Sequence, residues 1–196
     1  MFQVRIHGRG GQGVVTAAEI LSIAAFREGW HAQAFPSFGS ERTGAPVVAF
    51  CRIDDKEIRS REPVLAPDAV VIQDPTLLHQ VDLFSGLTPD GYVLLNTSRT
   101  LEALGAGDVL RDRDPARVCT VPASDIALRH IGRPLPNAAL LGGFAALSGR
   151  ISIEAVAAAI AEKFPGKIAA GNIAAAQEAY EHVKTALAET THAQAD

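Results

Sequence analysis

Gly8, Gly10 and Gly13 satisfy the spacing G-x-G-x-x-G within HGRGGQGVV, residues 7–15. Between a strand and a helix, such glycines let the backbone approach a pyrophosphate closely. The helix that follows offers unpaired N–H groups and a partial positive charge at its start. Arg9 can add a charge-assisted bond. Gly8, Arg9, Gly10, Gly11, Gln12 and Gly13 therefore point to a bound phosphate. The plainer alternative is a tight strand–helix turn with no ligand.

The rest of the chain narrows the choice of phosphate. A dinucleotide site wants an acid at the end of the second strand to hold the ribose. That strand reads HAQAFP, without one, and Glu28 lies too early. His31 is a poor substitute for the basic residue that NADP prefers. No Gly-Lys-Ser/Thr follows the glycines, so this is not a P-loop. A second unusual stretch, AFPSFGSERTGAPVVAF, spans residues 34–50. Loops at the carboxyl ends of parallel strands form the ligand crevice. Ser37, Glu41 and Arg42 are candidates there: Arg42 for a phosphate or carboxylate, Glu41 to orient it. The alternatives are a surface ion pair of Glu41 and Arg42, or an interface lip of Ser37, Phe38 and Gly39. Asn96 and Ser98 end a later strand on the same edge, where binding and helix capping are equal readings. His7 reads as structural, Asp74 as a cap for the segment after Pro75, and Asn137 and Asn172 as N-caps. No paired carboxylates, Ser-His-Asp set or metal-ligand cluster emerges, so a complete active site cannot be assembled from this chain.

The elements that must position these residues follow from periodicity. Residues 2–7 alternate as a strand, and Val14, Ala17, Ala18, Leu21, Ala24 and Ala25 repeat at helical spacing up to Gly29. Strands are expected at 31–35, at 47–53 (buried on both faces) and at 69–74, 91–96 and 117–122. DDKEIR resembles a turn into a short edge strand, and a helix is expected near 76–84. Helices follow at 137–149, at 152–164 with Ser152 as N-cap, and at about 170–188, with 190–196 as a frayed tail. Strands separated by helical or long connections give an α/β fold: an open, mostly parallel sheet with helices on both faces and a helical C-terminal third. The expectation is one domain over 1–196.

Composition excludes other classes. With 47% hydrophobic residues and a mean hydropathy of +0.13, a sizeable core can form. A net charge of -4 argues against nucleic acid as a partner. No apolar run nears the roughly 20 residues of a membrane helix, and no secretory leader is visible, so a cytoplasmic location is expected. Cys51 and Cys119 are too few for an iron–sulfur cluster and lie in strand-like runs, which reads as buried free thiols.

GRGGQGVVTAAEIL, QAFPSFGSERTGAPVVAFCRID, PDAVVIQDPTLL, YVLLNTS and NAALLGGFAALSGRISIEAVAAAI together resemble the gamma subunit of 2-oxoacid:ferredoxin oxidoreductases, in the family's order, from residue 3 to about 185. The nearest types are the pyruvate and 2-oxoisovalerate enzymes. The resemblance implies a Rossmann-like domain in a complex that converts a 2-oxoacid and coenzyme A into an acyl-CoA and CO2. It places thiamine diphosphate, Mg2+ and iron–sulfur clusters in alpha, beta and delta-type partner subunits. The electron acceptor is ferredoxin, or a flavin- or NAD-reducing subunit. This subunit helps to bind coenzyme A, is inactive alone, and contributes no catalytic residue. GDV at 107–109 lacks the second glycine of a thiamine-diphosphate motif. The resemblance does not select among pyruvate, branched-chain, 2-oxoglutarate and aryl substrates such as phenylglyoxylate. Two other readings are a stand-alone NAD- or flavin-binding oxidoreductase domain and a purely structural subunit.

Overall fold

The computed structural model describes residues 1–37 and 43–195. Six strands form one sheet in the order β2-β3-β1-β4-β5-β6: β1 (Phe2–Arg9), β2 (His31–Pro36), β3 (Pro46–Asp54), β4 (Ala69–Ile72), β5 (Tyr92–Asn96) and β6 (Val118–Val121). β1, β4, β5 and β6 are mutually parallel, while β3 runs antiparallel to both β1 and β2. Only β3 is reversed, because the connection from β2 to β3 is too short for a crossover and must fold back. Both the glycine turn after β1 and the start of the β2–β3 connection therefore lie at the same edge of the sheet.

The helices are α1 (Val14–Arg27), α2 (Gly107–Leu110), α3 (Ala123–Ile131), α4 (Asn137–Ser148), α5 (Ile153–Lys163) and α6 (Gly166–Ala195). They cover the two faces unequally. Val4, Ile6, Ala49, Cys51, Ala69, Val71 and Leu94 face a layer built from α1, α3, α4, α5 and α6. α4 is buried nearly all round, as expected of a helix apolar on every side. Val70, Ile72, Val93 and Leu95 point the other way, against Leu77, Leu83, Leu87, Leu104 and Leu110. That cover consists of short 3-10 turns and the four-residue α2. Such turns leave carbonyls without helical partners, and arginines fill the gap. Arg5 donates to Leu83 and Ser85, Arg113 to Thr88, and Arg117 to Asp90.

Several boundaries differ from the sequence expectations. The helix expected near 76–84 is a 3-10 turn over Pro75–His79, held at its start by Thr76 N–H donating to Asp74. The segment after Asp54 forms no edge strand among the described residues; Arg52 instead reaches across to the Ser60 and Glu62 carbonyls. α6 begins at Gly166, not near 170, and continues through the expected frayed tail. Pro165 both stops α5 and starts α6, since its carbonyl accepts the Ile168 and Ala169 amides. Asn172 is consequently inside α6, donating to the Ile168 carbonyl, and is no N-cap. Asn137 is the first residue of α4, preceded by Pro136 in the cap position. Ser152 does cap α5, accepting from Ala155 N–H at 3.1 Å. Cys51 and Cys119 are buried free thiols, and burial raises both, Cys119 to about 11.

Candidate functional site

The glycine turn is built around missing side chains. A Cβ on Gly8 would lie 2.6 Å from Val14 Cγ2, so its absence lets α1 sit directly on the end of β1. Gly11 and Gly13 have φ of 93° and 74°, which side-chain-bearing residues rarely adopt. A Cβ on Gly13 would also lie 2.6 Å from Asn137 Nδ2. Gly13 occupies the N-cap of α1 with no side-chain acceptor, and the first turn holds no acid. The first bond into the helix runs from Ala17 N–H to the Gly13 carbonyl, leaving the amides of Val14, Val15 and Thr16 without a partner among the described residues. An anion is the partner that such an end favours.

Polar side chains hold this turn open. The Gln12 carbonyl oxygen accepts the Arg9 amide at 2.8 Å, and its Nε2 donates to Asp74 Oδ2 at 2.9 Å. Arg9 Nε donates to the same Asp74 oxygen at 3.1 Å, and its other nitrogens donate to Thr76 Oγ1, Gln80 Oε1 and the Gly44 carbonyl. Burial alone would raise the Asp74 carboxyl. Bonds from Thr76 and Gln12 and the charge of Arg9 outweigh it and hold the group below the usual carboxylate range. The backbone adds Gly10 N–H to the Ala45 carbonyl and Gly44 N–H to the Gly10 carbonyl, at 2.9 and 3.1 Å. These bonds tie the end of the β2–β3 connection to the turn.

Two grooves flank α1's first turn and share Gly11, Gly13 and Thr16. One, of about 720 Å³, runs toward Pro36, Ser37 and Val47 at the top of β2 and β3. The other, of about 630 Å³, runs toward the α3–α4 connection and the α5–α6 junction, past Arg133, Leu135, Phe164, Lys167 and Ile168. Among the described residues neither wall carries an Asp or Glu.

The model of a family described as pyruvate ferredoxin/flavodoxin oxidoreductase matches residues 3–182. The chain belongs to this oxidoreductase family. It is similar to pyruvate synthase subunit PorC of Methanothermobacter marburgensis, at 50% identity over 184 residues, covering 94% of this chain and 98% of that one. The pyruvate/ketoisovalerate oxidoreductases common subunit gamma of Pyrococcus abyssi is 48% identical, over 92% of this chain and 96% of the relative. Among solved structures, the pyruvate oxidoreductase subunit PORC of Thermotoga maritima superposes with a TM-score of 0.77, at 38% identity, covering 92% of this chain and 95% of that one.

In this oxidoreductase chain the sequence candidates separate into groups. Gly8, Gly10, Gly11, Gln12, Gly13 and Ser37 gather at the turn, with Ser37 N–H donating to the Val48 carbonyl at 2.9 Å. Glu41 and Arg42, and Phe38 and Gly39 beside them, lie outside the described residues. Arg9, expected at a phosphate, spends its donors on Asp74, Thr76, Gln80 and Gly44, so it shapes the turn. Asn96 is buried: Nδ2 donates to the Gln73 carbonyl and Ser124 Oγ, and Oδ1 accepts the Ser124 amide at 3.1 Å. It caps α3 from β5. Ser98 is exposed beyond β5. His7 is structural, with burial and the nearby Arg5 lowering its pKa to about 3. Sequence reasoning missed Asp74 as the carboxylate under the turn and missed the second groove. The only signal for the former was an acid ending a buried strand on the ligand edge.

Proposed function

We propose that this chain is the gamma-type subunit of a multisubunit 2-oxoacid oxidoreductase and that its glycine turn binds coenzyme A, its pyrophosphate on the first turn of α1. One observation carries this: the α1 N-terminus is uncapped, free of acid and bordered by a Gly13 at which a side chain would intrude. The reaction joins a 2-oxoacid and coenzyme A into acyl-CoA, with release of CO2 and transfer of electrons to ferredoxin or to a flavin- or NAD-reducing subunit. Thiamine diphosphate with Mg2+ and iron–sulfur clusters, in alpha, beta and delta-type partners, supplies the decarboxylation and the electron removal. The residues of this chain bind and orient. Amides of Val14, Val15 and Thr16 hold the phosphates, while Asp74, through Gln12 and Arg9, fixes the turn that presents them.

The Pyrococcus abyssi relative is named as common to pyruvate and ketoisovalerate enzymes. A subunit that serves two 2-oxoacids fits a site for their shared second substrate. The sequence of β2, without an acid, favours coenzyme A over NAD.

The test uses the assembled complex with Thr16→Trp in this subunit. Thr16 is half-buried and borders both grooves, so the indole fills the approach without altering the glycines. Coenzyme A affinity is expected to fall by about tenfold or more, the loss of one bond to a charged group. Coenzyme A-independent release of CO2 from the 2-oxoacid should change far less. A complex that assembles with wild-type coenzyme A affinity would overturn the reading.

A further inference from the structure

β2 lies at the edge of the sheet, and its outer side is an unprotected template for another strand. We propose that this edge pairs with β2 of a second copy of the chain, antiparallel about a two-fold axis at Gln33, so that the two sheets join into one.

The β2–β3 register shows which groups are free. Ser37 N–H donates to the Val48 carbonyl, so Ser37 and Val48 form a bonded pair. Bonded and non-bonded pairs alternate along an antiparallel ladder, so His31, Gln33 and Phe35 also spend their main-chain groups on β3. Ala32, Ala34 and Pro36 turn theirs outward, where they have no main-chain partner among the described residues. Edge strands are ordinarily blunted by a charge, a bulge, an internal proline or shortness. β2 has no Asp, Glu, Lys or Arg, pairs with β3 without a bulge and carries its proline only at the end. The opposite edge strand, β6, is only four residues long.

The sequence of the edge selects its own copy. With Ala32 opposite Ala34 of the second copy, each of these N–H groups donates to the carbonyl it faces, and all outward groups of both alanines are paired. Slipping the pairing one way leaves the Ala32 carbonyl facing Pro36, which has no N–H. Slipping it the other way leaves the Ala34 carbonyl facing the Trp30 amide, which already donates to the Ala25 carbonyl at 3.1 Å. Ala32 and Ala34 pack toward α1, and Gln33 and Phe35 lie on the other face. There the same register sets Gln33 against Gln33 of the second copy, and His31 against Phe35. Gln33 Oε1 is buried with no partner among the described residues. Two such amides turned toward each other bond reciprocally. On the first face α1 packs over β2 and β3, so the two copies of α1 lie about 10 Å apart, close to the spacing of packed helices. Phe26, 72% exposed just ahead of β2, adds apolar surface beside the edge.

The experiment introduces Gln33→Cys into the full chain, alone and in its assembled complex, under mild oxidation. Residues facing each other in a non-bonded pair have Cα atoms about 4.5 Å apart, within disulfide reach. A cross-linked species of twice 20.6 kDa is expected. The native Cys51 and Cys119 are buried and should not contribute. His31→Cys should not cross-link, because its copies face Phe35 instead of each other. Gln33→Lys and Gln33→Glu place like charges opposite across the axis, and each should reduce the native mass of the full chain to that of one copy. Mixing the two variants should restore the pair. Ala34→Pro removes an outward N–H without touching a bond to β3, and should also separate the copies while leaving the far-UV circular dichroism unchanged. Absence of the Gln33→Cys cross-link, or failure of the Lys and Glu variants to re-pair on mixing, overturns the proposal. So does an Ala34→Pro complex that loses a different subunit while Gln33→Cys stays uncross-linked, which would assign the edge to a foreign strand.

Discussion

Asp74 and His7 show how single side chains at the end of the central strands set the behaviour of the turn. Asp74 gathers Gln12, Arg9 and Thr76 on two oxygens, so one carboxylate fixes the turn, the end of the β2–β3 connection and the 3-10 segment. Its pKa is depressed, so the stability it contributes is present above its ordinary value of 3.8 and is lost as the pH falls below that. His7 acts over a higher window. Its folded pKa is about 3 against an ordinary 6.5, so between those values the unfolded chain takes up a proton that the folded chain refuses. Stability should fall as the pH is lowered, by up to about 2 kcal/mol between pH 6.5 and about 5. His7→Leu removes that proton and should flatten the dependence. Urea unfolding of both proteins at the two pH values checks this; equal slopes would show that the imidazole protonates in the folded protein. The glycines and Gln12 were legible in the sequence because they are contiguous. The partnership of Arg9 with Asp74 was not, because 65 residues separate them and only the β1–β4 pairing brings them together.

At the scale of elements, α4 and α6 cross in close backbone contact. A Cβ on Gly142 would lie 1.9 Å from the Ala176 carbonyl oxygen, a backbone atom that cannot turn aside. On Gly143 it would meet only side chains, the nearest being Val183 Cγ2 at 3.2 Å. Alanine gains up to about 1 kcal/mol of helix propensity over glycine at either position. At Gly142 the forced separation of two helices should outweigh that gain, leaving a net loss of about 1–3 kcal/mol. Gly143→Ala should be near neutral. Thermal unfolding of both variants tests the contrast, and equal Tm values would show that the crossing can relax. Most helices were readable from their apolar spacing and capping residues, as Ser152 shows for α5. α6 starts earlier than its apolar spacing predicts because Pro165-Gly166, a pair that ordinarily ends a helix, here also opens one. The second groove was invisible for another reason: its wall comes from α1, the α3–α4 connection and the start of α6, and no spacing within one segment signals their meeting.

Across the whole molecule, family membership agrees with the motif resemblance and the mostly parallel sheet with the apolar runs, while the helical cover is less even than the pattern suggested. That unevenness has a consequence for how the molecule breathes. The cover of Val70, Ile72, Val93 and Leu95 is a chain of turns fastened by arginine bonds to carbonyls, and each fastening can release without unwinding a helix. Local opening should therefore start on that side. In amide hydrogen–deuterium exchange, peptides from 75–90 and 97–117, on either side of β5, should lose protection well before those from α4, while α1 and its first turn stay closed. Equal protection of the two sets would refute this. If it holds, the face away from the two grooves is where the chain yields first, and transient exposure of those four aliphatic side chains is its main route to aggregation when partners are scarce.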